Sequence, residues 1–461
     1  MKIDEKKIIK FWCAIIITAL AGLVYTILPP SFPDSQKRVL CIFIFAAGFW
    51  AFEVIPIHAT SLLTILFLTF FLSVPDGLIG VSKTGYTLFL IPFSSPVIML
   101  FFGGFVLATA LHKHKVDEYL VENVISRMGK KPWVLMISYL LISAFFSMWM
   151  SNTAATALML TLVKPILSQV EKTDPFRKGI VLAIAFGANI GGIGTPIGTP
   201  PNALAMGFLA EHGVYIDFFE WMVMAIPLVI LILILASLVL LWMYRPISKE
   251  INYQFPHKVE LSQKGIHVIM ITFFMLLLWL TSSWHGIPEA LVALLGVGIL
   301  TASQLVSSED LKKIDWDILI LMWGGLALGI GMEVSGLLDQ LIKSKIFMQN
   351  GIVVVTFFSC LAILLSSFMS NTATANILLP IAISISSYDK ILLSITVAIS
   401  CSLALAFPVS TPPNAMVFSL GTLRTRDMFK AGALIAVISL IIVLLGFDTV
   451  ITRALSKHFI D

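Results

Sequence analysis

Twice in this chain an apolar stretch too long for one bilayer crossing carries the same polar string near its middle. Residues 134–168 contain Met150–Ala157 as MSNTAATA, and residues 351–386 contain Met369–Ala375 as MSNTATA. A crossing takes ~20 residues, so each stretch must kink or fold back. Two half-helices joined at a Ser-Asn-Thr tip make a re-entrant hairpin. Irregular backbone at membrane depth is tolerated where protein buries it or where it lines a cavity. Downstream of each copy lies a second shared string, Thr199-Pro200-Pro201-Asn202-Ala203 and Thr411-Pro412-Pro413-Asn414-Ala415. Duplicated, Gly/Pro-interrupted segments at matching places in two halves of a membrane chain point to a transporter's binding site.

The composition agrees with a bilayer. Hydrophobic residues make up 58% of the chain and charged ones 12%, and no soluble domain needs that balance. Period-2 alternation is absent, which argues against a barrel. The first apolar run, Phe11–Leu28, is too long for a signal peptide and lacks a small-residue cleavage site, so it reads as a retained membrane helix. The four cysteines, Cys13, Cys41, Cys360 and Cys401, stand singly in apolar runs and suit buried packing. The net charge of +4 is small and spread over short loops, so nucleic-acid binding has no support.

With a cytoplasmic N-terminus, eleven crossings and both Ser-Asn-Thr stretches re-entrant, 22 of the 30 Lys and Arg residues fall on the cytoplasmic side. Making either stretch a full crossing inverts every later loop and damages that bias. The same count puts the first hairpin on the cytoplasmic side, the second on the outer side, and Arg453–Asp461 outside. Met99–Gly104 also resembles Leu321–Gly325, at nearly the same offset as the two tips. The expected fold is therefore an all-α integral membrane protein with about 11 transmembrane helices, two re-entrant hairpins and two inverted repeats. His112–Lys131 and Glu333–Gln349 follow corresponding helices and read as surface helices, the first with Val116, Leu120, Val124 and Met128 at helical spacing. Glu53, ahead of Pro56 and Thr60, reads as a cap on an interfacial turn.

The tips have a defined chemistry. Ser, Thr and Asn are preferred N-caps, and a helix restarting at Ser151-Asn152-Thr153 aims free N–H groups and its positive dipole end beyond the tip, as at an anion site. Thr-Pro-Pro-Asn makes a similar start, with Thr199 and Thr411 as caps and proline in the first turn. Gly191, Gly192, Gly194 and Gly198 allow an unwound backbone whose carbonyls suit a hard cation. Residues 133–163, 179–210, 351–388 and 391–423 contain no Lys, Arg, Asp, Glu or His. A doubly charged anion finds no formal positive charge there, and helix ends supply only about half a charge each. A bound cation is the simplest compensation. A single Ser-Asn-Thr usually means side chains bonding back to the helix, and a single Pro pair a kink. Two copies of both motifs favour a binding site. Ser151 makes a poor hydrolase nucleophile, because no base lies near it in sequence and no Gly-x-Ser-x-Gly elbow is present.

The paired tips, with Gly-Thr-Pro-Pro-Asn-Ala and Ser-Thr-Pro-Pro-Asn-Ala downstream, resemble the divalent anion:sodium symporter family over essentially the whole chain. That family carries C4-dicarboxylates, citrate or sulfate. The resemblance implies a homodimer in the inner or plasma membrane, surrounded by lipid, whose transport domain moves past a scaffold as an elevator. It implies scaffold parts at 1–133 and 245–350 and transport parts at 134–244 and 351–461. A first Na+ site would involve Ser147, Ser151, Asn152 and Gly198, and a second Ser366, Met369, Asn371 and Ser410. The dicarboxylate would touch Asn152, Thr153, Thr199, Asn371, Thr372, Thr411 and Pro412. The second copy has Ala404–Pro408 where the first has its glycines, so the two cation sites need not be equivalent. Sodium-coupled symport of succinate, malate or fumarate is the expected activity, with no enzymatic role. Sodium-independent dicarboxylate exchange and sulfate transport are the alternatives.

Overall fold

The computed structural model describes residues 5–73, 85–253, 259–342, 351–385 and 390–446. The expected outer C-terminal tail and the end of the second surface helix, residues 343–349, lie outside them.

Every described regular element is a helix. In chain order these are α1 (Glu5–Ile27), α2 (Asp34–Ala51), α3 (Ile57–Leu68, continued by a π turn at Thr69–Ser73), α4 (Pro96–Lys113), α5 (Val116–Ile125), α6 (Pro132–Ser147), α7 (Asn152–Ser168), α8 (Phe176–Gly191), α9 (Pro200–Glu211), α10 (Phe218–Met243), α11 (Gln263–Leu280), α12 (Ser282–His285), α13 (Glu289–Ala302), α14 (Ser308–Leu311), α15 (Trp316–Val334), α16 (Leu337–Ile342), α17 (Gly351–Ser366), α18 (Asn371–Ser384), α19 (Lys390–Cys401), α20 (Pro412–Ser419) and α21 (Thr425–Gly446). Among the described residues, seven helices are long and apolar enough to cross a membrane singly. The interruptions fall where expected. Both long stretches break just before Ser-Asn-Thr, and both later runs unwind ahead of Thr-Pro-Pro-Asn. With α8–α9 and α19–α20 each taken as one broken crossing, eleven crossings and two hairpins result. This is the integral membrane fold read from the sequence.

Two compact units divide the chain. One comprises residues 1–98, 204–214 and 315–401, and the other residues 99–203, 215–314 and 402–461. Each unit thus draws on both repeats. The first joins the second hairpin to the end of α9 from the first copy. The second joins the first hairpin to α20 from the second copy.

In the first unit, α15 packs on α3 and α18. A Cβ at Gly324 would lie 2.5 Å from Ser61 Cβ, and one at Gly325 would strike the Asn376 amide. That amide, buried in α18, donates to the Leu321 carbonyl at 3.0 Å. Both halves of the glycine pair matched between repeats are thus places of close approach. Glu53 departs from its expected role. It lies exposed in the α2–α3 turn at φ 43°, and α3 starts at Pro56 with no side-chain cap.

In the second unit, the first hairpin packs on α8. Its legs are antiparallel, since Tyr139 Oη donates at 2.8 Å to the Leu162 carbonyl, roughly as far beyond the tip as Tyr139 lies before it. Gly187 and Gly191, four residues apart on α8, bring that helix onto the backbone of Leu140 and Ala144 in α6. Small residues at this spacing let helices approach where no hydrophobic force separates lipid from protein. The amphipathic segment expected at His112–Lys131 contains the helix α5. It buries Val116, Asp117, Val121, Glu122 and Ile125, and leaves Leu120, Val124 and Met128 exposed. The buried acids explain this: Asp117 meets His112 Nδ1 at 3.0 Å, and Glu122 accepts from the Val259 N–H at 3.0 Å.

Candidate functional site

Each half-helix begins with the cap its sequence supplies. Ser151 accepts from the Ala154 N–H at 3.3 Å, and Ser370 from the Ala373 N–H at 3.1 Å. Thr411 accepts from the Asn414 N–H at 3.3 Å. At Thr199 it is the carbonyl that receives the Asn202 N–H, at 3.1 Å. These caps satisfy one donor each and leave other first-turn N–H groups of α7, α18 and α20 without intrahelical partners.

In the second unit the first tip meets the unwound segment between α8 and α9. One end of the Asn152 amide lies 2.5 Å from Ser147 Oγ, 3.1 Å from the Gly198 carbonyl and 3.2 Å from the Ala188 carbonyl. Three acceptor oxygens thus converge on one side-chain atom. If that atom is the amide nitrogen, it donates; if it is the oxygen, four oxygens face one another. The Thr195 hydroxyl donates to the Met148 carbonyl and ties the segment to the tip. Ser147, Ser151, Asn152 and Gly198 are thereby brought together. Thr153 is exposed beside them, while Thr199 is only 2% exposed.

The glycines of this segment act through space, not backbone freedom. None of Gly191, Gly192, Gly194 and Gly198 has a positive φ, and Gly192 is helical at φ −55°. A Cβ on Gly192 would strike Asn152, and one on Gly198 would strike the Gly192 backbone. The stretch is glycine-rich so that three backbones and one amide can share the same volume.

Sequence reasoning missed three asparagines. Asn202, the last residue of its motif, donates to the carbonyls of Gly192 (3.0 Å), Ile193 (3.1 Å) and Thr195 (2.8 Å). Asn414 repeats this in the second copy, donating to Leu405 (3.2 Å) and Phe407 (3.0 Å). In the first copy, carbonyls of the segment read as available to a cation accept instead from the motif's own asparagine. Asn189 of α8 links the copies, donating to Thr411 Oγ1 and to Asn414 Oδ1 at 3.1 Å each. A lone Asn in an apolar helix was the available signal.

In the first unit, the second tip holds Ser366, Met369, Asn371 and Thr372. Ser366 is fully buried and Thr372 is 8% exposed. Asn371 Oδ1 is buried and has no hydrogen-bond partner among the described residues, unlike Asn152. Ser410 and Pro412 belong to the second unit, where Ser410 Oγ accepts from the Phe407 N–H at 3.3 Å. Among the described residues no cluster of three His, Cys, Asp or Glu exists, and the oxygens gathered around the Asn152 amide are neutral.

Paired hairpins and broken helices in a membrane-spanning chain define a secondary-transporter architecture. Comparison with known proteins agrees. The family described as "CitMHS: Citrate transporter" matches residues 47–387 and 276–459. An uncharacterized transporter of Haemophilus influenzae is 32% identical over 436 residues, covering 89% of this chain and 91% of that one. The sodium-dependent dicarboxylate transporter SdcS of Staphylococcus aureus is 30% identical over 464 residues, covering 90% and 86%. Among solved structures, MtrF of Neisseria gonorrhoeae superposes at TM-score 0.55 with 13% identity, covering 93% of this chain and 96% of that one. The YdaH transporter of Alcanivorax borkumensis gives 0.54 with 13% identity, covering 88% and 98%. These last two likenesses concern the fold alone.

The chain belongs to the citrate transporter family, within the divalent anion:sodium symporter family that its motifs resemble. It is an integral membrane transporter and not an enzyme.

Proposed function

We propose that this protein carries C4-dicarboxylates such as succinate, malate or fumarate into the cell, coupled to sodium. The observation that carries the reading is the convergence of Ser147 Oγ and the Ala188 and Gly198 carbonyls on the Asn152 amide. An amide nitrogen has two N–H donors for three acceptors. A sodium ion there takes over the acceptors, and the amide turns its oxygen in as a further ligand. Its N–H groups then face away from the ion, toward a carboxylate. Cation binding thus prepares the anion site, which is symport in structural terms. The names of the SdcS relatives support both halves of this coupling.

Thr411 supports the anion side. Its hydroxyl accepts from the Asn189 amide and from the Asn414 N–H, which uses its acceptor capacity and leaves its proton to donate. With Thr153, Thr199 and Pro412 it makes up the proposed substrate contacts of the second unit; Asn371 and Thr372 are the substrate contacts proposed for the second tip. Ser366, Met369 and Asn371 of the second tip are proposed as second-sodium ligands, and so, separately, is Ser410. The scaffold and transport parts at 1–133 with 245–350 and 134–244 with 351–461, the elevator motion, the homodimer, the cytoplasmic N-terminus and a plasma- or inner-membrane location complete the reading.

The test is uptake of labelled succinate into proteoliposomes under an inward sodium gradient. Uptake should rise cooperatively with sodium and fall to background in choline. Equal uptake in choline, with counterflow against internal dicarboxylate, establishes exchange instead.

A further inference from the structure

A groove of about 520 Å³ runs between α1, α2 and α3, within the first unit. That is within the ~300–1,000 Å³ range of small-ligand sites. Its walls are Thr18, Ala21 and Gly22 of α1, Ile42 and Phe45 of α2, and Phe67 and Phe71 beyond. Phe45 and Phe67 meet edge to face at 5.1 Å, and Phe67 and Phe71 are 6.1 Å apart. One end is polar. Tyr25 Oη donates to Asp34 at 2.6 Å, and Arg38 is also a lining residue, paired with Asp34 at 3.0 Å.

The polar end still has donors to offer. Arg38 directs Nε and one terminal nitrogen at Asp34 and the other terminal nitrogen at the Phe71 carbonyl (3.2 Å). A guanidinium has five N–H groups, so two remain among the described contacts. Lys37, one residue earlier, does not line the groove; its ammonium donates to the Leu28 carbonyl at 3.0 Å. The end near the α1–α2 turn therefore presents a guanidinium with two open donors beside one carboxylate, while the rest of the groove is apolar and aromatic. α1 itself is poorly buried by the chain, with only 11% of its apolar window covered. A membrane helix exposed in this way faces acyl chains, and the groove opens beside it.

We propose that this groove holds one bilayer phospholipid, with an acyl chain against Gly22, Phe45, Phe67 and Phe71 and the phosphodiester at Arg38. The match is between an amphiphile and a site with open guanidinium donors at one end and an apolar, aromatic other end. Arg prefers phosphate because its planar fork fits the oxygens. Gly22 leaves the space open: a Cβ there meets nothing within 4 Å. A larger residue fills the groove without striking the protein, and removes a helix-weakening glycine from α1.

The experiment uses the full chain in vesicles containing a small fraction of phospholipid with a photoreactive acyl chain. Crosslinks are mapped by mass spectrometry. In the wild type, labelling should concentrate on α1 near Gly22 and on Phe45, Phe67 and Phe71. Gly22→Phe should reduce it at least fivefold at an unchanged melting temperature. Arg38→Gln should reduce labelling by the phospholipid and not by a photoreactive diacylglycerol, which lacks the phosphate. Equal labelling of wild type and Gly22→Phe would mean annular lipid only and overturn the proposal. A change of oligomeric mass in Gly22→Phe would assign the groove to a second copy of the chain and overturn it as well.

Discussion

Asn189 and Thr411 stand 222 residues apart in the chain, yet the Asn189 amide donates to the Thr411 hydroxyl at 3.1 Å. The first repeat thus holds the cap of the second repeat's short helix. Both residues are buried, so the bond is shielded from water and costly to break. Through this pair the N-terminal end of α20 is positioned by α8, the helix that leads into the glycine-rich segment.

Replacing Asn189 with Ala should lower both stability and transport. It removes one bond to Thr411 and one to Asn414, and an unpaired buried polar group costs ~1–3 kcal/mol. Thermal unfolding of the purified protein reports the first effect and proteoliposome uptake the second. Uptake should fall more than the unfolded fraction accounts for, because Thr411 loses the donor that directs its own proton outward.

At Asn202 and Asn414, Asp should be worse than Ala. Each amide satisfies carbonyls of its own unwound segment. Ala removes one donor from each of them, whereas a carboxylate of the same shape adds an acceptor against acceptors and must be protonated or displaced. Expression and melting temperature rank the variants; an Asp variant at least as stable as Ala would disprove the loop-closing role.

Asn152→Ala and Asn371→Ala should each cut transport about ten- to a hundredfold with little loss of folded protein. A hydrogen bond to a charged group is worth roughly 1.5–3 kcal/mol. Sodium dependence should separate them from Asn202→Ala, whose defect is in folding. Normal uptake at normal expression by either variant removes that tip from the substrate site.

Asp174, in the loop between the first hairpin and α8, anchors the chain after α10. Burial works to raise its pKa, but the Ser248 hydroxyl and the backbone N–H groups of Phe176, Ser248 and Ile247 outweigh it and hold the carboxylate below its usual range. A group with a depressed folded pKa adds stability that is present above its unfolded pKa of ~3.9, and that stability is lost as the pH falls through the folded value. Stability should therefore decline below about pH 4, and Asp174→Asn should flatten that decline while lowering stability at neutral pH. A melting temperature independent of pH in both proteins would contradict this anchor.

The sequence exposed the architecture because its signals are local. An apolar run too long for one crossing must break, and Ser151, Ser370 and Thr411 mark where each helix restarts. What stayed hidden depends on partners distant in the chain. Asn189 looked like an isolated polar residue until Thr411 was seen beside it. The glycines at 191–198 suggested backbone freedom, yet their ordinary φ values show that they serve close packing. Asn202 and Asn414 fell inside a motif that reads as ligand-binding, although each turns back onto its own loop. The buried face of α5 was hidden for the same reason: it contains Asp117 and Glu122, whose partners hydropathy does not reveal.

The account rests on the first Ser-Asn-Thr tip being where sodium and dicarboxylate meet, and Thr153 offers a direct probe because it is exposed beside Asn152. A single cysteine placed there, in a chain whose four native cysteines are replaced, can be followed by its rate of thiol labelling in vesicles. Labelling should slow when sodium is added and slow further with sodium plus succinate. Potassium alone, or succinate without sodium, should leave the rate unchanged. A rate that stays constant under every one of these conditions contradicts the claim that this tip binds the transported ions.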